Sequence, residues 1–374
     1  MKKLGFGMMR LPMPDAKVQD KVDLAETCSM VDTFLERGFT YFDTAYMYHG
    51  GQSEHVVREA VVERHPRDSF TIADKLPMYH LKDSENKADQ EVVFNEQLKK
   101  CGVEYFDYYL LHNLNVASYA TAQRLNTFSY LLGKKEEGKI RHLGFSFHDK
   151  ADLLDQILTE HPEFEFVQLQ INYLDWEDER VQSRKCYEVA VKHGKKVVVM
   201  EPVKGGKLAS VPADVEKMMK DAHPDWTPAS WAIRFAASLE HVMMVLSGMS
   251  NTEQLLDNTN YMQDFTPLTA EEVKLLEKAA EIISAMPAIP CTACRYCVDG
   301  CPSAIQIPDF FLLYNEDQMT LRQGGSPNKE KYRKIAEGHG LASACVDCKQ
   351  CENACPQHLY VTNFLQRVTN TYEK

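Results

Sequence analysis

Two copies of one cysteine pattern dominate the last quarter of this 374-residue chain. Cys291, Cys294, Cys297 and Cys301 are followed by Pro302; Cys345, Cys348, Cys351 and Cys355 are followed by Pro356. Each copy reads C-x2-C-x2-C-x3-C-P. Three thiols at steps of three can face one inorganic centre, and a fourth set beyond them is carried away from it. Eight of the 11 cysteines fall in these runs, a usage that favours metal ligation by thiolates in a reducing cytoplasm over the disulfides of a secreted chain. Zinc usually gathers paired ligands from separated C-x2-C units, whereas this run is the spacing of iron–sulfur cubanes, [4Fe-4S]. Residues 286–374 are therefore expected to form a small domain organised by metal. The stretch Met286-Pro287-Ala288-Ile289-Pro290 is its linker.

The remainder, residues 1–285, has the length of one barrel of about 250 residues plus connections. Its apolar runs alternate with amphipathic ones eight times. Strands are expected at Leu4–Met9, Phe39–Asp43, Phe70–Lys75, Phe106–His112, Ile140–Ser146, Phe166–Asn172, Lys196–Glu201 and Val242–Ser247. Helices are expected at Leu24–Arg37, Ser53–Arg64, Gln90–Cys101, Ala120–Glu137, Lys150–Glu160, Arg180–His193, Pro228–Ser238, Thr252–Tyr261 and Glu271–Ala285. Runs such as Val197-Val198-Val199 suit strands buried on both faces. The pattern predicts a (β/α)8 TIM barrel. An open doubly wound sheet would want G-x-G-x-x-G after the first strand, and Gly5-Phe6-Gly7-Met8-Met9-Arg10 lacks the third glycine. A net charge of −12 and a pI near 5.6 argue against nucleic acid as a partner. No run of about 18 apolar residues is present to span a membrane, and the first residues lack the apolar core of a signal peptide.

Four strand ends carry chemistry. Asp43 closes the second strand and Tyr48 follows it in the loop. Lys75 closes the third strand and His112 the fourth. In a parallel barrel these ends share one rim. Reducing a carbonyl needs a proton on oxygen, and a tyrosine near pKa 10 is a poor donor unless a nearby ammonium favours its phenolate. Tyr48 is thus the candidate acid, Lys75 its tuning group, Asp43 the partner of Lys75, and His112 the group that orients the substrate. Taken singly, each would pass as a rim aromatic, a loop lysine, a strand-end cap or a core histidine; their joint placement favours catalysis. With Asp43-x-Ala45-x-x-Tyr48 and this order of residue types, the chain resembles the aldo-keto reductase family over about residues 1–285.

That resemblance implies a nicotinamide cofactor, NADP(H) or NAD(H), across the later strand ends. Ser146 and Gln168 match the residues that hold the carboxamide. Glu201, Val203, Gly205, Gly206 and Leu208 lie in the loop after strand seven, where a pyrophosphate would approach. Ser247, Gly248, Ser250, Gln254, Asp257 and Asn258 stand at the adenosine end. Gly248 and Gln254 occupy positions where the family has Lys and Arg, so the usual cations for a 2′-phosphate are missing there. Met9, Met47, Tyr79, His80, Tyr173 and Trp176 are candidate pocket-lining residues.

The tail resembles the α-helical ferredoxin domains of respiratory iron–sulfur subunits, with helices expected at Pro308–Met319 and Asn328–Gly338. By the ferredoxin pattern the fourth cysteine of each run ligates the other cluster. One cluster then takes Cys291, Cys294, Cys297 and Cys355, the other Cys345, Cys348, Cys351 and Cys301. Cys28, Cys101 and Cys186 read as buried apolar residues. The expected protein is a cytoplasmic oxidoreductase that interconverts a small-molecule carbonyl and an alcohol, coupled through two [4Fe-4S] clusters to a redox partner such as a ferredoxin or flavoprotein. Hydride moves two electrons and a cluster one, so a flavin-linked reductase is the alternative. A non-catalytic electron carrier or redox sensor is the third reading.

Overall fold

Eight parallel strands close into a barrel in chain order. The computed structural model describes residues 2–14, 21–286, 288–322 and 325–374; residue 287, inside the expected linker, lies outside the described residues. The strands are β1 Leu4–Gly7, β2 Tyr41–Asp43, β3 Thr71–Pro77, β4 Phe106–Leu114, β5 Ile140–Phe147, β6 Phe166–Gln170, β7 Lys196–Met200 and β8 Val242–Ser247. Tyr41, Ala73, Leu110, Phe166, Val198, Met244 and Leu246 form one buried cluster. Residues from six different strands meet only inside the barrel, so its interior is a packed core.

The helices between the strands are α1 Leu24–Glu36, α2 Ser53–Val57, α3 Asp89–Cys101, α4 Val116–Leu125, α5 Thr127–Glu136, α6 Ala151–Glu160, α7 Ser183–Lys192, α8 Ala213–Ala222 and α9 Pro228–Ser238, with α10 Thr252–Gln263 and α11 Ala270–Ser284 after β8. Several differ from the sequence expectation. The single helix expected over 120–137 is two, because Asn126 takes a left-handed conformation at φ 55° and turns the chain. The expected helix over 53–64 continues past α2 only as a wider π turn, Arg58–Val62. The first strand ends at Gly7, and Met8–Arg10 is a 3-10 turn. Helix α8 is absent from the sequence expectation: its stretch is polar, and only Val215 and Met219 are buried in it.

The chain divides into two compact units. The first comprises residues 1–203 and 225–274, and the second residues 204–224 and 275–374. The second therefore includes the loop after β7 as well as the cysteine-rich tail. Its later helices are α12 Ile307–Arg322, α13 Lys329–Ala336, α14 Gln350–Asn353 and α15 Val361–Tyr372. They enclose a core of Ile305, Phe310, Phe311, Tyr332, Leu365 and Val368, with Tyr332 stacked on Tyr372 at 4.9 Å. Helix α15 is likewise an addition to the expected set, although its apolar residues recur at helical spacing.

Candidate active site and cysteine centres

Register brings Asp43, Lys75 and His112 to one end of neighbouring strands, and Tyr48 follows β2 in the 3-10 turn Tyr48–Gly51. Asp43 pairs with Ala73, and His112 with Pro77, two residues past Lys75. The Lys75 side chain is 1 % exposed. Its ammonium donates to Asp43 Oδ1 at 2.6 Å and to the Thr44 carbonyl at 2.6 Å, and lies 5.1 Å from the centroid of the Tyr48 ring. Tyr48 meets His112 edge-on, with ring centroids 6.1 Å apart. Tyr79 approaches the same imidazole at 6.2 Å. Burial, then the Lys75 and His148 charges, holds the His112 pKa well below its ordinary value, so the ring is neutral at neutral pH. Its Nδ1 is buried with no protein partner among the described residues.

One electrostatic expectation is reversed. The Tyr48 phenol sits well above its ordinary pKa, not below it. Burial is the main cause, followed by the negative charges of Asp43, Glu201 and Asp74. The Lys75 charge is directed at Asp43, whose carboxyl burial pushes up while Lys75 and Gln168 pull it back.

A buried network missed in the sequence stands behind Lys75. Asp74 Oδ1 accepts from the Lys75 amide at 2.8 Å, and Gln97 donates to the Lys75 carbonyl at 3.0 Å and to Glu54 at 2.9 Å. The Tyr109 hydroxyl donates to Gln97 at 2.5 Å. Asp74 and Glu54 are both fully buried. Burial is the main cause that raises both carboxyls, and the Glu54 charge raises Asp74 further. Glu54 also pairs with Lys100 at 3.4 Å. The adjoining Ser53 hydroxyl bonds the Thr44 hydroxyl at 2.8 Å, so the network reaches the segment that receives Lys75.

The expected cofactor residues are engaged within the protein. Gln168 donates to Asp43 Oδ2 at 3.3 Å, and Ser146 Oγ accepts the Asn113 amide at 2.7 Å. Ser247 accepts from Asn258 at 2.8 Å, and Asp257 from Thr227 at 2.8 Å. The Ser250 amide donates to Gln254 Oε1 at 2.8 Å. Gly248 serves a neighbour: a Cβ there would lie 3.1–3.2 Å from the side-chain carbons of Arg10. Arg10, carried by the turn after β1, thus brings a cation to the end of β8 that the sequence pattern did not reveal. The Glu26 carboxylate accepts the first amide of α10, Thr252, at 3.2 Å. Glu201 and Val203 end the first unit's strand-seven connection, while Gly205, Gly206 and the buried Leu208 belong to the second unit. Among the other expected lining residues, Tyr173 and Trp176 pack on Phe235 of α9.

The family profile for the aldo/keto reductases matches residues 3–281. The chain belongs to the aldo/keto reductase family. A second profile, described as a 4Fe-4S dicluster domain, matches residues 290–360. An uncharacterized oxidoreductase of Bacillus subtilis, YqkF, is 24 % identical over 279 residues, 67 % of this chain and 86 % of that protein. The 9,11-endoperoxide prostaglandin H2 reductase of Trypanosoma cruzi is 24 % identical over 278 residues, 73 % of this chain and 89 % of its own. Among solved structures, the holo form of the aldo-keto reductase AKR11C1 from Bacillus halodurans superposes with a TM-score of 0.60 at 25 % identity, covering 74 % of this chain and 91 % of that one. An aldo-keto reductase from Klebsiella pneumoniae, solved in complex with NADPH, has the same fold, with a TM-score of 0.55 at 21 % identity, covering 74 % and 90 %. Among the described residues no helix is long and apolar enough to cross a membrane.

In this aldo/keto reductase the two cysteine runs have the same local backbone. Left-handed residues recur at matching positions: Ala293 and Asp347, Arg295 and Lys349, Ala304 and His358. Such reversals turn backbone N–H groups inward, as in anion-binding nests. The Ala293 amide donates to Cys291 Sγ at 3.4 Å, and Cys355 receives the amides of Leu359, Gln357 and His358. The Cys297 thiol is pushed up by burial first and then by Cys294, Cys291, Cys355 and Cys351. A cavity is lined by Cys301, Cys345, Cys348 and Cys351, with Ile305, Val346 and Leu365 around them. Both groupings suit a polynuclear centre with amide donors to its sulfurs.

Proposed function

We propose that the barrel interconverts a small-molecule carbonyl and an alcohol, and that the tail holds two [4Fe-4S] clusters exchanging electrons with a redox partner in the cytoplasm. The proposed domains are residues 1–285 and 286–374, with the loop 204–224 built into the second compact unit. The observation that carries the catalytic part is Lys75, a buried ammonium held by Asp43 and the Thr44 carbonyl beside the Tyr48 ring.

A bound nicotinamide, NADP(H) or NAD(H), supplies the hydride. Ser146, Gln168 and Arg10 are the residues of the barrel that would hold it. Neutral His112 donates a hydrogen bond to the substrate oxygen and fixes its direction. Tyr48 gives its proton to that oxygen as negative charge develops there. An alkoxide is a far stronger base than a phenolate, so even a phenol above its ordinary pKa protonates it. Lys75 then stabilises the phenolate, and Asp43 keeps Lys75 in place. The clusters take Cys291, Cys294, Cys297 and Cys355, and Cys345, Cys348, Cys351 and Cys301.

A second reading replaces nicotinamide by a flavin or flavoprotein as the direct donor. It is favoured by the two cysteine runs, whose clusters would exchange one electron where hydride transfer moves two, a mismatch that a flavin bridges. Anaerobic purification, cofactor extraction and an iron count test both readings. Extracted flavin selects the second reading, and saturable binding of NADPH or NADH the first. Absence of iron from anaerobic protein ends the cluster proposal.

A further inference from the structure

Strand β2 is shorter than β3 beside it, and the residue left without a strand neighbour on that side is Lys75. Thr71 and Ala73 turn their peptide groups toward β2. The Thr71 amide donates to the Thr40 carbonyl at 2.8 Å, and the Ala73 carbonyl accepts the Thr44 amide at 2.9 Å. The two-residue period of a strand points the Lys75 peptide groups the same way. But β2 ends at Asp43, and the chain then turns, with the Tyr48 amide donating to the Ala45 carbonyl at 3.1 Å. A buried peptide group needs a partner, and here side chains supply both. Asp74 Oδ1 accepts the Lys75 amide at 2.8 Å, and the Gln97 side chain donates to the Lys75 carbonyl at 3.0 Å.

Gln97 is a polar residue set in the buried stripe of α3, with Val93 and Phe94 before it and Cys101 after it. Its side-chain nitrogen carries two hydrogens, one for Lys75 and the other for Glu54 Oε1 at 2.9 Å. Its oxygen accepts the Tyr109 hydroxyl at 2.5 Å. Glu54, Gln97 and Tyr109 are fully buried and come from α2, α3 and β4. Phe94 meets the Tyr109 ring edge-on at 5.0 Å. The amide cannot turn without leaving a buried group unpaired. The acceptor of the Lys75 ammonium is fixed separately. The Thr44 hydroxyl bonds Ser53 at 2.8 Å, and Ser53 donates to the Met8 carbonyl at 3.1 Å. Only the Lys75 end of the contact depends on Gln97.

We propose that Gln97 is a positioning residue for the chemistry of Tyr48: it stands in for the absent part of β2 and fixes the Lys75 main chain, so that the ammonium reaches Asp43, the Thr44 carbonyl and the Tyr48 ring together. The physical reason is that a misplacement of about 1 Å in a reacting constellation costs about 10²-fold in rate. The proposal rests on the tetrad reading, and the experiment separates the two. The full-length protein, purified anaerobically, is assayed with 4-nitrobenzaldehyde as probe and NADPH or NADH as donor. Wild-type turnover in Lys75→Met would overturn the tetrad reading instead. Gln97→Met keeps the length and removes the donors; it should lower kcat by about 10- to 100-fold. The KM for the aldehyde, the Kd of the nicotinamide and the iron content should stay at wild-type values. The two substitutions should not add: with Lys75→Met already present, Gln97→Met should cost less than about twofold more, because its effect passes through Lys75. A merely structural role would multiply the two losses. Should Gln97→Met not fold, Tyr109→Phe removes only the donor to Gln97 and should lower kcat by about 2- to 10-fold, with the same lack of additivity. A crystal structure of either variant should show the Lys75 ammonium drawn away from the Thr44 carbonyl, a criterion that holds whatever the carbonyl substrate. Both 2.6 Å bonds of Lys75 kept in that crystal, wild-type kcat, or the full loss repeated beside Lys75→Met would overturn the proposal.

Discussion

The two cysteine runs share a spacing and a backbone, and differ in what lies over them. The first run lies under the loop after β7: Lys204 donates to Gln357 Oε1 at 3.2 Å, a Cβ on Gly205 would lie 2.6 Å from the Thr292 carbonyl oxygen, and Thr292 and Gln357 are buried. The second opens a cysteine-lined cavity beside Val346, and Cys348 is exposed. Identical ligand chemistry in unlike dielectric settings gives unlike redox behaviour, since exposure and local charge tune such centres as strongly as the ligands do. Sequence repetition alone would assign the pair equal roles.

The largest expected effects come from breaking the pair itself. Cys297→Ser and Cys351→Ser should each lose about half of the bound iron, because each removes one four-iron cluster. The crossed fourth ligand makes a sharper test. Cys297→Ser combined with Cys355→Ser should lose no more iron than either alone, whereas Cys297→Ser with Cys301→Ser should lose nearly all. Colorimetric iron and sulfide assays decide this.

Next comes the barrel against the whole cysteine module. Tyr48→Phe should lower carbonyl reduction by about 10²–10⁴-fold, the usual worth of a positioned acid. Its iron content and cluster spectra should remain those of wild type. Unchanged turnover would remove Tyr48 from the reaction.

A smaller difference separates the runs kinetically. On exposure to air, the cluster assigned to Cys301, Cys345, Cys348 and Cys351 should bleach several times faster than its covered twin. Resonance signals followed over time would show equal decay if cover were irrelevant.

The smallest effect is confined to the barrel. Asp74 has a folded-state pKa above its unfolded value, so the native state holds its proton longer. Stability from this source is greatest below the ordinary carboxyl pKa. It declines as pH rises toward the folded value, by about 1.4 kcal/mol per pH unit across that window. Asp74→Asn keeps an acceptor for the Lys75 amide and should flatten that decline in denaturant melts between pH 5 and 8. A wild-type slope retained in the variant would rule out Asp74 as its source.

Much of this architecture was legible in sequence, for reasons particular to each part. Strand β7 shows because Val197, Val198 and Val199 are buried on both faces and leave no ambiguity of pattern. The cysteine runs show because three of the four ligands expected for each centre are close in the chain. The proposed tetrad shows because Asp43, Lys75 and His112 lie at or near strand ends and Tyr48 follows the first of them in the turn after β2. What stayed hidden depended on residues distant in sequence. Glu54 and Asp74 read as ordinary charges until α2 is laid against β3. Arg10 reaches Gly248 from the opposite end of the barrel sequence. The direction of the Tyr48 shift could not be read because burial, a property of the fold, sets it, and the carboxylates Asp43, Glu201 and Asp74 push the same way. Helix α8 escapes a sequence reading because only two of its residues are buried.

The seat of Gly205 on Thr292 has a practical consequence for protein engineering. A fragment ending at residue 285 would retain the β7 loop and discard the platform on which Lys204 and Gly205 rest. Such a truncate is an unfinished object, and assays intended for the catalytic half belong on the undivided polypeptide.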